Sequence, residues 1–117
     1  MPEAREYLPL SAAAFEVLLT LAAGEQHGYR IMRDVAERSN GAVTLYPGTL
    51  YRTLSRLLET GLIAEVGDRP VDAFDDQRRR YYRLTPLGLE VARAEARRLD
   101  AQLQTARRQR LLEGEPS

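Results

Sequence analysis

Cysteine and lysine are absent from these 117 residues, and histidine occurs once. Without cysteine there is no disulfide, no thiolate nucleophile and no thiolate metal ligand. The lone His27 has no neighbouring partner for a metal and no nucleophile to serve as a base. No nucleotide-cradling Gly-x-Gly-x-x-Gly or P-loop is present, and no His-Glu-x-x-His. The chain therefore reads as a non-enzyme with no cofactor and no metal site. No apolar run approaches the roughly 20 residues of a membrane span, and the start lacks a basic segment leading into an apolar one. A cytoplasmic protein without membrane association is the expectation. Positive charge is also limited, because 17 arginines balance 17 acids to a net charge of zero. This excludes a generally sticky basic protein. Arginine is the better fork for phosphate and guanine, but a chain-wide lack of lysine reflects genomic base composition more than function and carries little weight.

The charge is unevenly placed. Residues 1–27 hold one arginine against four acids, residues 28–83 ten against eight, and residues 84–112 six against three. Any polyanion must therefore meet a local basic surface. The length suits one compact domain able to bury its own core.

The most informative segment is Tyr46-Pro-Gly-Thr-Leu-Tyr-Arg-Thr-Leu-Ser-Arg-Leu-Leu-Glu-Thr-Gly61. Proline fits the first helical turn. Leu50, Leu54, Leu57 and Leu58 recur at helical spacing as one apolar face. The opposite face carries Thr49, Arg52, Thr53 and Arg56, and Gly61 follows as a C′ residue. A leucine back with an Arg/Thr front suits the major groove of DNA; the plain alternative is an amphipathic helix with a solvated face.

The flanks give this helix a setting. Ser11 is an N-cap for a first helix over about 11–23, apolar around much of its circumference, with Gly24 beyond its end. A second helix over about 28–39 turns Ile31, Met32, Val35 and Ala36 inward and puts Arg30, Arg33, Asp34, Glu37 and Arg38 outside. His27 is placed to cap it. Asn40-Gly41 breaks it before the third helix. After Gly61 the period changes to two, giving a strand over 62–66, a turn over 67–77 rich in Gly, Pro and Asp, and a returning strand over 78–84. Asp72, Asp75 and Asp76 in that turn lack the calcium-loop spacing and its closing Glu, so a solvated turn is expected. The fold class is mainly α with a small two-stranded β wing: a winged helix-turn-helix plus a long C-terminal helix. Residues 1–85 form the winged helix-turn-helix, 86–112 the last helix and 113–117 a tail.

Thr85-Pro86 opens that last helix as hydroxyl N-cap and first-turn proline. Ala92, Ala96, Leu99, Leu103 and Ala106 step by 4, 3, 4, 3, a heptad seam. Leu87, Val91 and Ala94 lie to one side and can face the protein's own body. A second apolar stripe implies a second chain, hence a homodimer; the other reading is an isolated helix held by Glu/Arg pairs.

Four motifs in order resemble the PadR family of bacterial winged-helix transcriptional regulators: His27-Gly-Tyr-Arg-Ile31, Tyr46-Pro-Gly-Thr-Leu-Tyr51, Leu57-Leu-Glu-Thr-Gly-Leu-Ile63 and Arg80-Tyr-Tyr-Arg-Leu-Thr-Pro-Leu-Gly88. The match runs from about residue 8 to 112 and is similar to the short subfamily with one C-terminal helix. The resemblance implies a cytoplasmic, dimeric, DNA-binding regulator, usually a repressor. In that family the third helix enters the major groove, the wing meets the adjacent backbone, and the last helix dimerises, often against the partner's first helix. On that pattern Phe15 and Leu18 join Ala92, Ala96, Leu99, Leu103 and Ala106 in the dimer interface. Some short members trap flat hydrophobic effectors between aromatics of the last helix. Here the last aromatic is Tyr82, so that stacking is missing, and Phe15 and Tyr7 are the candidate liners for a small hydrophobic effector.

Double-stranded operator DNA is the expected partner. Arg52 and Arg56 are placed to meet bases or phosphates, and Thr49 and Thr53 a phosphate or a thymine methyl. Tyr51 lies at the helix side, for core packing or a hydroxyl–phosphate contact. Tyr46 and Gly48 stand at the helix entry, where free N–H groups favour a phosphate or where turn geometry alone needs glycine. Arg78, Arg79 and Arg80 suit phosphate contact, or a solvated strand edge. The competing class is a winged-helix protein–protein interaction module without operator binding.

Overall fold

The computed structural model describes residues 3–66 and 80–114. A short 3-10 turn, Ala4–Tyr7, leads into helix α1, Ala12–Ala22. Strand β1, Gln26–His27, runs directly into α2, Gly28–Arg38. Helix α3 is Pro47–Glu59, strands β2 and β3 are Ile63–Glu65 and Tyr81–Leu84, and α4 is Pro86–Arg108.

Helices α1, α2 and α4 start where a side chain satisfies one of their free amides. Ser11 accepts from the Ala14 N–H at 3.1 Å. His27 accepts from the Arg30 N–H through Nδ1, also at 3.1 Å, which is the capping role its position suggested. Thr85 accepts from the Gly88 N–H at 3.0 Å, with Pro86 in the first turn. Helix α3 begins on Tyr46, whose side chain makes no capping bond, followed by Pro47.

The apolar faces of these helices close one core around α1, which touches α2, α3, α4 and β3. Val17, Leu18, Ile31, Val35, Leu50 and Val91 are completely inaccessible, with Leu54, Leu57, Leu62 and Ile63 nearly so. Met32 and Leu58, expected on inner faces, pack at the edge of this cluster. Arg38, expected to point outward, reaches back across α1. It donates to Thr20 Oγ1 at 3.2 Å and pairs with Glu16 at 2.6 Å, bracing α1 against α2. In the turn after α2, the Ser39 hydroxyl donates to the Val35 carbonyl and accepts from the Val43 N–H.

The sheet has a strand more than expected. The hairpin partners β2 and β3 pair antiparallel with Ile63 opposite Leu84. On the other edge of β3, Gln26 lies opposite Tyr82 and His27 opposite Tyr81, giving the order β1-β3-β2. Two residues are too few to leave a period-two pattern. The His27 and Tyr81 rings meet edge to face at 5.4 Å. The wing turn over 67–77, with its aspartates, lies outside the described residues.

Helix α4 ends at Arg108, four residues before the expected boundary. Arg110 takes a positive φ of 63°, and the Leu111 N–H returns to the Ala106 carbonyl at 2.9 Å, closing the last turn. No glycine or proline marks that stop. At 23 residues the helix is roughly 35 Å long. Its first half packs on α1, β3 and the 3-10 turn, while Leu103 remains 41% exposed. No described helix is long and apolar enough to cross a membrane.

Candidate nucleic-acid interface

Helix α3 separates its two faces cleanly. Leu50, Leu54 and Leu57 are buried, which fixes the rotation of the helix about its axis. That rotation leaves Arg52, Ser55 and Arg56 exposed and Thr49 and Thr53 half-buried beside them. Arg52 Nη2 donates to Thr49 Oγ1 at 3.3 Å, a pair that holds the guanidinium over the first turn. The same guanidinium lies against Gly48, where an added Cβ would meet Nη1 at 3.5 Å. Among the described residues Arg56 has no ion-pair partner. The two arginines stand between two depressions. One of about 280 Å³ is lined by Arg52, Thr53, Arg56 and Leu57. The other, about 560 Å³, is lined by Gly48, Tyr51, Arg52, Ser55, Arg56 and Glu59.

The helix entry is open. Tyr46 is 70% exposed, and Pro47 and Gly48 are exposed after it. The first amides of a helix have no intrahelical acceptor and carry the positive end of its dipole. Tyr51 is half-buried and packs against the core at the side of α3.

Of the three wing arginines, Arg80 lies among the described residues. Arg80 is exposed, but its Nη1 already pairs with Glu65 Oε1 on β2 at 3.1 Å. Arg78 and Arg79 lie outside the described residues. Arg83 is exposed on β3, and Tyr82 beside it is buried. Burial pushes the Tyr82 phenol above its ordinary range, and the Glu65 carboxylate adds to the rise.

The residues expected at a dimer interface divide into two groups. Ala96 is exposed, Leu99 and Ala106 are half-buried, and Leu103 is exposed, so this part of the seam presents apolar surface. Phe15 is half-buried on α1. Leu18, at 0%, and Ala92, at 8%, belong instead to the core of their own chain. A side chain enclosed by its own domain has no face left for a second one. Nothing in the local pattern separates these two from their neighbours, because α1 is apolar nearly all round and the seam overlaps the inward stripe of α4.

Sequence reasoning missed Glu95. It is 1% exposed, on α4, and accepts the Leu10 N–H at 2.7 Å. Arg98 Nε donates to its other oxygen. The hydrogen bond from Arg98 holds this carboxyl below its usual range, helped by the Leu10 N–H and opposed by burial. Among the described residues no group of three or more His, Cys, Asp or Glu is arranged to hold a metal ion.

Comparison with known proteins gives this arrangement a family. Residues 17–94 match the transcriptional regulator PadR-like family. The chain belongs to that family. Solved structures with the same fold include a PadR family transcription regulator from Clostridium difficile, at TM-score 0.69 and 22% identity, covering 84% of this chain and 97% of that one. A PadR-like transcriptional regulator from Bacillus cereus superposes with TM-score 0.66 at 22% identity, covering 87% of this chain and 92% of that one. RosR of H. salinarum is 25% identical with TM-score 0.60, covering 90% and 89%. An uncharacterised protein of Lysinibacillus sphaericus is 32% identical over 73 residues, or 62% of this chain, and the matched stretch spans 63% of that relative's length. The membership accounts for the three helices and wing that carry the Arg52–Arg56 face, and it assigns none of the residues on that face a role.

Proposed function

We propose that this PadR-like chain is a sequence-specific, dimeric DNA-binding regulator that represses transcription by occupying an operator. One observation carries the reading: a short helix whose Leu50, Leu54 and Leu57 are enclosed by the core and whose other face offers Arg52 and Arg56 to solvent, with Thr49 and Thr53 half-buried beside them. Enclosure fixes the helix, and a fixed helix can enter a groove about 12 Å wide in one register. Arg52 and Arg56 then reach base edges or phosphates, and the open amides at Gly48 and Thr49 take a phosphate at the helix N-terminus. The exposed Tyr46 hydroxyl and the Arg78–Arg80 run of the wing meet the flanking backbone, while the Tyr51 hydroxyl is buried and takes the core-packing role. The dimer forms through the outer half of α4, with Leu99, Leu103 and Ala106 at its centre and Phe15 and Ala96 at its margin. Two copies related by a two-fold axis would meet half-sites one helical turn apart, about 34–36 Å. A small hydrophobic effector that changes the dimer's geometry would release the operator by shifting the population away from that spacing. The protein works in the cytoplasm, where the DNA is.

Fluorescence anisotropy against duplex DNA from its own promoter, with a scrambled duplex as control and several salt concentrations, tests the reading. Binding to the promoter duplex alone, weakening steeply with salt, supports it. Arg52→Ala with Arg56→Ala should abolish that preference while the dimer persists. Equal, weak binding to both duplexes, indifferent to those substitutions, sinks it in favour of a protein-interaction module.

A further inference from the structure

The C-terminal end of α3 and the N-terminal end of α4 meet in a joint made almost wholly of backbone. Helix α3 closes through Gly61, whose φ of 78° lets the Leu62 N–H return to the Leu57 carbonyl at 3.0 Å. The Gly61–Leu62 turn is thereby part of α3. Across the wing, the Thr85 N–H donates to the Leu62 carbonyl at 3.1 Å. The Thr85 hydroxyl donates to the Gly61 carbonyl at 2.6 Å and accepts the Gly88 N–H at 3.0 Å. Its single proton is thus committed to one helix and one of its two lone pairs to the other. Gly88 packs on the same turn so closely that a Cβ there would lie 1.9 Å from the Leu62 carbonyl oxygen. The β2–β3 pairing starts at the same place, with Ile63 opposite Leu84.

We propose that Thr85 and Gly88 are positioning residues that fix the angle between the DNA-reading helix and the long helix; this rests on the DNA-binding reading above. The Thr85 bonds and the close Gly88 contact all fall on the Gly61–Leu62 backbone rather than on a flexible side chain, so a rotation of α4 must carry Gly61–Leu62, and α3 with them. Arg52 and Thr49 lie toward the far end of α3, which is roughly 20 Å long. A tilt of about 10° at the joint displaces that end by about 3 Å, enough to break a hydrogen bond to a base edge. The joint therefore converts a change in how two α4 helices meet into a change in how two α3 helices are spaced.

The test uses the full-length protein and Thr85→Val, which keeps the shape and removes both hydroxyl bonds, with Thr85→Ser as the conservative rescue. Operator and scrambled affinities, oligomeric state by light scattering and thermal stability are read for each. The chain has no cysteine, so Ser55→Cys with Arg93→Cys supplies two unique spin-label sites, on α3 and α4. Labelled chain diluted into unlabelled chain then reports the α3–α4 distance within one molecule, without DNA. The expected result for Thr85→Val is a retained dimer, a broadened distance distribution and a promoter-to-scrambled ratio lower by about tenfold, the scale of one lost base contact. Thr85→Ser should resemble the parent in all three. Gly88→Ala should act in the same direction more strongly, and if it does not fold, Thr85→Val carries the test. A narrow distribution with an unchanged ratio in Thr85→Val overturns the inference, even if the melting temperature falls, because that is a purely structural role. If the parent protein shows no promoter preference, the DNA-binding reading falls, and the distance distribution alone decides whether the joint is rigid.

Discussion

Replacing Glu95 tests whether the segment before α1 is held by a buried ion pair. The carboxylate is 1% exposed, accepts the Leu10 N–H at 2.7 Å and takes a second bond from Arg98. Glu95→Ala strands a part-buried amide and removes a charge-assisted bond, which costs about 1.5–3 kcal/mol. The space left by four heavy atoms adds a little more. Arg98 keeps a third of its side chain in water, so its guanidinium rehydrates instead of being left uncompensated, and the loss stays below the roughly 3–5 kcal/mol of a fully buried broken pair. The net expectation is about 2–3 kcal/mol, or a melting temperature lower by roughly 10 °C for a domain of this size. Glu95→Gln keeps an acceptor for Leu10 and gives up the charge, so it should cost about 1 kcal/mol. The pH dependence has a definite sign. The folded-state carboxyl is held low, chiefly by Arg98, while in the unfolded chain a glutamate titrates near ~4.3. Its stabilisation is therefore complete above that unfolded value and is lost as pH falls through the folded one. Urea denaturation at fixed protein concentration, from pH 7 down to pH 3, measures both effects. Glu95→Ala within about 0.5 kcal/mol of the parent at pH 7 would refute the reasoning, as would an unchanged acid-sensitive limb in Glu95→Gln.

Three further outcomes follow from the same geometry. Glu65→Gln frees Arg80 from its 3.1 Å partner and removes a negative charge beside the wing; affinity for any duplex should rise by about threefold at low salt, with a steeper salt dependence, in anisotropy titrations. Leu103→Glu puts a charge on the exposed seam of α4; sedimentation should show a shift to monomer with the helical circular dichroism of the domain kept. Gly61→Ala forces a side chain into the left-handed region at φ 78° and should lower stability by about 1 kcal/mol, read as a reduced urea midpoint.

Sequence reading succeeded where the information is local. The caps at Ser11, His27 and Thr85 announce helix starts within three residues of the amides they satisfy. The leucine spacing of 50, 54 and 57 determines which way Arg52 and Arg56 face, because burying one side of a helix leaves the other outside. It failed where a partner is distant in the chain or where two apolar stripes overlap. The acceptor of the Leu10 N–H is 85 residues away on α4, so Glu95 reads as one more charged position on a helix. Leu18 and Ala92 have the same composition as an interface and turn out to be core, because α1 is surrounded by α2, α3, α4 and β3. Arg80 reads as a free cation until β2 places Glu65 beside it. Each miss has a common physical form. Periodicity gives the rotation of one element about its own axis, whereas burial and charge pairing depend on which second element lies over it. The joint at Thr85 shows the limit from the other side. Its N-cap role is visible in Thr-Pro, yet its bond to Gly61 needs the whole wing to bring the chain back, and that second bond is the one that ties the reading helix to the long one.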